Sequence, residues 1–132
     1  MPERSIPDDE RVFRRILPGT RWFVPPDRIT SPNFKLREGE QGISVYRAMI
    51  VSPEEVLKKP GVIPGSFLTE ATAGAIRQLA DATGEPLDLD VVAVTDENDP
   101  GHAEIRGRAL RQRTRPAADA LKTLFKRVTD GV

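Results

Sequence analysis

The sequence predicts an α+β domain, a small mixed, mostly antiparallel sheet packed by two or three helices. Three observations carry that expectation. Ile43-Ser44-Val45-Tyr46-Arg47-Ala48 and His102-Ala103-Glu104-Ile105-Arg106 alternate in polarity, as half-buried strands do. Ser52-Pro53-Glu54-Glu55 has the form of a helix start. Ala117, Leu121, Leu124, Phe125 and Val128 recur at helical spacing and give a final helix its apolar stripe.

Taken in order, residues 1–10 are polar, hold two prolines and offer no apolar period, which predicts a flexible arm before a single domain over 11–128. Val12, Phe13, Ile16 and Leu17 open the ordered structure as a short strand or helical turn, and Pro18-Gly19 stops it. Thr20 to Val24 reads as a strand ending at Pro25-Pro26-Asp27. Ile29 to Phe34 extends a strand that Pro32 would confine to an edge. A polar connection over 37–42 leads into the strand at Ile43.

In the second half, Ser52 is the expected N-cap, Pro53 the first helical residue and Glu55 the reciprocal partner of the cap. Lys58, Lys59 and Pro60-Gly61 close that helix. The spacing of Leu68, Ala75, Ile76, Leu79 and Ala80 predicts a longer helix over 69–83, ended by Gly84. Leu87 to Val94 reads as a central strand, 96–101 as an acidic loop, His102 to Arg106 as a strand, and a last helix starts near Thr114.

Composition excludes whole classes of chemistry. The chain has no cysteine, so disulfides, thiolate nucleophiles and cysteine-based zinc sites are ruled out. The first ten residues lack the apolar run of a signal peptide, and no stretch approaches a membrane span, so a cytoplasmic protein without a membrane partner is expected. The ten glycines are dispersed and form no phosphate loop; no G-x-S-x-G occurs.

His102 is the single histidine. With Ala103 and Ile105 turned to the core, alternation puts His102, Glu104 and Arg106 in one row on the opposite face. An imidazole, a carboxylate and a guanidinium so placed suit acid–base work on a phosphodiester, with Arg106 holding the phosphate charge. The polar outer face of an ordinary strand gives the same pattern. In the preceding loop Asp96, Asn98 and Gly101 match the first, third and sixth positions of a calcium loop. The match breaks at Pro100 and at Gly107, where a bidentate Glu is required. No metal and no cofactor is therefore expected.

The 20 basic and 20 acidic residues cancel, but they are segregated. Asp81 to Asp99 holds seven acids and no Lys or Arg, whereas His102 to Val128 holds eight Lys or Arg and two acids, Glu104 and Asp119. The run Arg106, Arg108, Arg111, Arg113, Arg115 and then Lys122, Lys126, Arg127 suits an acidic protein partner, or nucleic acid bound through the 106–127 segment. Pairing of the two segments across the fold would neutralise both.

At three places the chain resembles a family of small bacterial proteins of no settled function. The pieces are Ile29-Thr30-Ser31-Pro32-Asn33-Phe34, Ile43-Ser44-Val45 and Asp99-Pro100-Gly101-His102-Ala103, set against a pattern of Ser-x-x-Phe, Leu-Ser-Val and Pro-x-His with Ala or Cys, before a basic last helix. The chain departs from it at Leu17, where the family often has His, and at Tyr46, where an acid tends to follow. Those departures tell against a site that needs two histidines. The resemblance implies a bacterial cytoplasmic setting and singles out Ser31, Phe34, Ser44 and His102.

Two readings follow. One is a non-enzymatic accessory or interaction protein, of a defence or toxin–antitoxin-like kind, binding a protein partner through its polarised surface with Ser31, Phe34, Ser44, Arg108, Arg111 and Arg113 as candidates. The other is a small metal-independent phosphoesterase or ribonuclease using His102, Glu104 and Arg106. Convergence of these groups in a concave pocket would favour the second, and a flat display the first.

Overall fold

In the computed structural model, which describes residues 6–25 and 28–128, six strands form one sheet. They are β1 (Arg11–Ile16), β4 (Ile43–Arg47), β5 (Phe67–Thr72), β6 (Asp90–Ala93), β7 (His102–Arg106) and β8 (Lys126–Arg127). Their order is β6, β7, β4, β1, β5, β8, and every pairing is antiparallel. A separate two-stranded ribbon joins β2 (Phe23–Val24) to β3 (Arg28–Ile29). The helices are α1 (Pro53–Leu57), α2 (Ala73–Arg77), α3 (Ala109–Gln112) and α4 (Thr114–Leu124). The result is an α+β fold whose sheet, expected to be mostly antiparallel, is antiparallel at every described pairing.

The sheet buries two unequal faces. On one, Val12, Val45, Val91, Ala103 and Ile105 meet Ile76, Leu110, Ala117 and Leu121 of α2, α3 and α4, and Phe34 packs on Phe125 with ring centroids 5.0 Å apart. On the other, Phe13, Tyr46 and Leu68 gather with Val51, Val128 and Val56 of α1. That second cluster covers only part of its face.

Several local expectations give way to tertiary pairing. The helix expected over 69–83 begins instead as β5, because residues 67–72 hydrogen-bond along the whole of β1, from Arg11↔Thr72 to Ile16↔Phe67. Thr72 then caps the short α2, its hydroxyl accepting from the Ala75 amide. Ser31–Phe34 is a 3-10 turn, not a strand; Pro32 sits at its start, where a missing N–H costs nothing. Of the strand expected from Thr20 to Val24, only Phe23–Val24 pairs. The apolar run from Leu87 is shortened to β6 because Asp88 adopts φ 53°, a left-handed conformation that interrupts extended chain. Phe125 and Val128 are buried beyond the end of α4, which stops where Phe125 turns extended.

Residues 1–5 of the expected arm, and Pro26-Asp27 of the expected turn, lie outside the described residues. Of the rest of that arm, Ile6 and Glu10 are buried and residues 7–9 are exposed. Ile6 is 1% exposed, and Glu10 accepts two hydrogen bonds from the Arg47 guanidinium at 2.9 and 2.8 Å.

The helix start at Ser52 has both halves of a capping box. Ser52 Oγ accepts from the Glu55 amide at 3.2 Å, and Glu55 Oε1 accepts from the Ser52 amide at 3.1 Å. Ser52→Ala should therefore cost about 1 kcal/mol, the usual loss of an N-cap. The urea midpoint should fall without change in slope; coincident unfolding curves would show that the cap is worth nothing here.

Candidate functional site

The uncovered part of the second sheet face forms a polar cleft of about 380 Å³, lined by Arg14, Arg15, Leu17, Arg37, Glu40, Ser44, Tyr46, Asp99 and His102. The register of β4 with β7 brings its side chains together: Ser44 lies opposite Glu104 and Tyr46 opposite His102. Ser44 and His102 are thus diagonal neighbours on one face. Ser44 Oγ is 3.1 Å from His102 Nε2, and the imidazole packs against the Tyr46 ring at 5.9 Å between centroids.

The 96–101 loop delivers Asp99 over Tyr46. Its return needs Gly101 at φ 83°, where an added Cβ would lie 3.1 Å from the Val51 side chain. Asp99 Oδ2 accepts from the Tyr46 hydroxyl at 3.0 Å, and Oδ1 meets Lys59 Nζ at 2.6 Å. Burial works against the Asp99 charge, but Lys59, the Tyr46 hydroxyl and the field of His102 outweigh it and hold the carboxyl below its ordinary range. The same contact acts oppositely on Tyr46. Burial, then the bond to the Asp99 carboxylate, pushes the phenol up to about 12.

Arg14 is the floor of the cleft. Its Nε and Nη2 donate to the Asn33 carbonyl at 3.1 and 2.9 Å, and its Nη1 to the Ser44 carbonyl at 2.8 Å. No described carboxylate forms an ion pair with it. Burial lowers its pKa to about 10, against the attraction of Glu40 and assisted by the nearby charges of Arg37 and Arg15. Neither Arg15 nor Arg37 has a side-chain ion pair among the described residues. Three arginines therefore line a cleft whose carboxylates are Glu40 and Asp99, the latter already paired with Lys59.

The residues singled out in the sequence separate into two groups. Ser44 and His102 meet in the cleft. Glu104 and Arg106 share the outer face with them, yet they bind each other, Arg106 Nε and Nη2 to Glu104 Oε1 at 2.9 and 2.7 Å, and do not line the cleft. Gly42 makes room for that pair: a Cβ there would stand 2.7 Å from the Ile105 carbonyl oxygen and 2.9 Å from Arg106 Cγ. Ser31 is half-buried at the start of the 3-10 turn, and Phe34 is a core residue at 1% exposure, with no face left for a ligand. Arg108 is exposed, Arg111 reaches the Glu40 carbonyl, and Arg113 pairs with Asp81, so part of the basic segment is matched by the acidic one.

Asp96, Asp99 and His102 bring potential ligand atoms within 4.8 Å of one another. Both Asp99 oxygens are already engaged, so a cation at that point would have to displace Lys59. A larger groove of about 590 Å³ between α4 and residues 79–83 is lined mainly by Leu79, Ala80, Ala82, Pro116 and Ala120 and contains no histidine.

Sequence reasoning missed Arg14, Arg15, Arg37, Tyr46, Lys59 and Asp99. A signal was present for the first two. Two adjacent arginines inside Val12-Phe13-Arg14-Arg15-Ile16 place charge on a strand whose neighbours are buried, which is uncommon without a reason.

No protein-family model, curated protein or solved structure matches this chain. Among the described residues no helix is long and apolar enough to cross a membrane.

Tyr46 is the single tyrosine, so phenolate absorbance reports this site alone. The titration midpoint should lie near 12, against 10 for a free phenol, and Asp99→Asn should lower it by removing the anion beside the ring. Because the folded value is the raised one, the stabilisation is full below pH 10 and is lost as pH rises through about 12. A wild-type midpoint near 10, or one that Asp99→Asn leaves in place, would contradict the contact.

Proposed function

We propose that this chain recognises a phosphate-bearing ligand in the cleft between β1, β4 and the 96–101 loop. The observation that carries the reading is Arg14. Its buried guanidinium is anchored by backbone carbonyls through three of its five N–H groups, which leaves two for a ligand. Arg15 and Arg37 also line the cleft and add positive charge, and Lys59 pairs with Asp99. Counting Lys59 and Asp96 beside the lining residues, four cations face three carboxylates, Glu40, Asp96 and Asp99, and the remaining positive charge suits an anion.

A bound phosphate would also relieve the conditions that lower the Arg14 pKa, since it supplies the counter-charge that burial withholds. Planar guanidinium groups bind phosphate oxygens two at a time, so several of them on a concave surface select for that shape. In this role the chain acts as a recognition module, in keeping with an accessory protein of a bacterial cytoplasmic system. Binding through the 106–127 segment is favoured less, because Arg106 is tied to Glu104 and Arg113 to Asp81.

Titration calorimetry with inorganic phosphate, pyrophosphate and a nucleoside monophosphate tests the proposal. Each charge-assisted hydrogen bond is worth about 1.5–3 kcal/mol. Arg37→Ala or Arg15→Ala should therefore weaken binding by roughly tenfold to a hundredfold, with the melting temperature unchanged. Arg108→Ala, on an exposed residue outside the cleft, should have no effect. Absence of binding by the wild-type chain, or equal losses from Arg108→Ala and Arg37→Ala, would end this reading.

A further inference from the structure

We propose that Ser44 is a nucleophile and His102 its general base, so that the cleft cleaves small phosphomonoesters through a phosphoseryl intermediate; this rests on the phosphate-binding reading above. The geometry that points to it is the 3.1 Å approach of Ser44 Oγ to His102 Nε2 inside a cleft walled by arginines. A serine hydroxyl is a weak nucleophile until a base within hydrogen-bond reach takes its proton, and this distance is of that kind.

The pair is held from several sides. Backbone pairing of β4 with β7 fixes both Cα positions, and the Tyr46 ring supports the imidazole. The Asp96 and Asp99 carboxylates lie within 4.8 Å of a ring nitrogen of His102. Arg14 also binds the Ser44 carbonyl, so the residue that would hold the phosphate is fixed to the backbone of the nucleophile.

The chemistry balances without a further reactant except water. Ser44 Oγ attacks phosphorus while its proton passes to His102 Nε2. The Oγ–P bond forms, the bond from phosphorus to the leaving oxygen breaks, and His102 gives its proton to that oxygen. Water then attacks the phosphoserine, His102 takes a proton from it, inorganic phosphate leaves, and the proton returns to Ser44. Arg14, Arg15 and Arg37 line the same cleft and would supply the donors for charge on the phosphoryl oxygens. Glu104 and Arg106 take no part.

The test uses the whole chain with p-nitrophenyl phosphate as probe, reading nitrophenol release, acid-quenched protein mass and inorganic phosphate binding by calorimetry. The expected result is turnover, with one phosphoryl group on the peptide that contains Ser44. Ser44→Ala and His102→Gln should each lower turnover by at least about a hundredfold while still binding phosphate, and Glu104→Gln should keep the wild-type rate. Phosphate binding by the wild-type chain without turnover or adduct would overturn the nucleophile assignment and leave the binding reading standing. Failure to bind phosphate would remove both, and an adduct on any other residue would overturn the assignment of Ser44.

Should Ser44→Ala unfold, Ser44→Cys preserves a proton for His102 to take. Its thiol should react with iodoacetate at least about tenfold faster than in the Ser44→Cys, His102→Gln double variant, because the thiolate is the reactive form. Equal rates would show that His102 is no base to this position.

Discussion

Strand β1 sets the terms for the rest of the molecule. It lies inside the sheet, bonded to β5 over its whole length and to β4 over its first half, so both of its faces must be covered or made useful. Three helices cover one face. On the other, α1 is a five-residue helix and reaches only as far as Phe13, Tyr46 and Leu68. Where α1 ends, β1 has already changed on this face from Phe13 to Arg15, and the surface left open is polar. The cleft is therefore a consequence of how little chain is assigned to the second layer.

Charge is compensated differently inside and outside that cleft. Arg47 is fastened to the buried Glu10, which raises its pKa and pins the N-terminal segment to the end of β4, inside the sheet. Arg77 is held between Asp8 and Asp90, and its pKa too is raised, since both carboxylates outweigh its burial. These are cations used as structural ties, and each has its anion within the fold. Arg14 is the exception. Its partners are carbonyls, which satisfy N–H groups without supplying charge, and its pKa falls. Carboxylates hold Arg47 and Arg77, whereas Arg14 is left to backbone dipoles, and that difference is what the proposal of an anion from outside rests on.

What could be read in advance follows from where the deciding forces act. The capping box at Ser52 and the start of α4 at Thr114 are local, and the sequence shows them directly. β7 is legible to the residue because its period-two pattern is short, clean and flanked by turn chemistry. β5 was hidden, since Leu68, Ala75, Ile76, Leu79 and Ala80 carry a helical period across a segment that long-range pairing with β1 makes a strand. The candidate site divides the same way. His102 stood out for being single and Ser44 through a family likeness, but nothing local tells which of His102's row-mates will join it. Glu104 and Arg106 are nearer in sequence, and they spend their charges on each other.

The partner of His102 is decided by register across β4 and β7. With Tyr46 opposite His102 and Ser44 opposite Glu104, the imidazole reaches diagonally to the serine while the phenol supports its ring. A slip of one residue would turn Ser44 to the helix side and put Val45 under the histidine. That slip is opposed from both faces. Val45, Ala103 and Ile105 are each buried against the helices, so none can be exchanged for a polar neighbour without loss of core. Gly42, just before β4, lets the strand come within reach of Ile105 and Arg106, where any side chain would collide. The hydrophobic side of the sheet thus dictates which polar atoms meet on the other, and the 3.1 Å contact between Ser44 and His102 is maintained by residues that never touch the cleft.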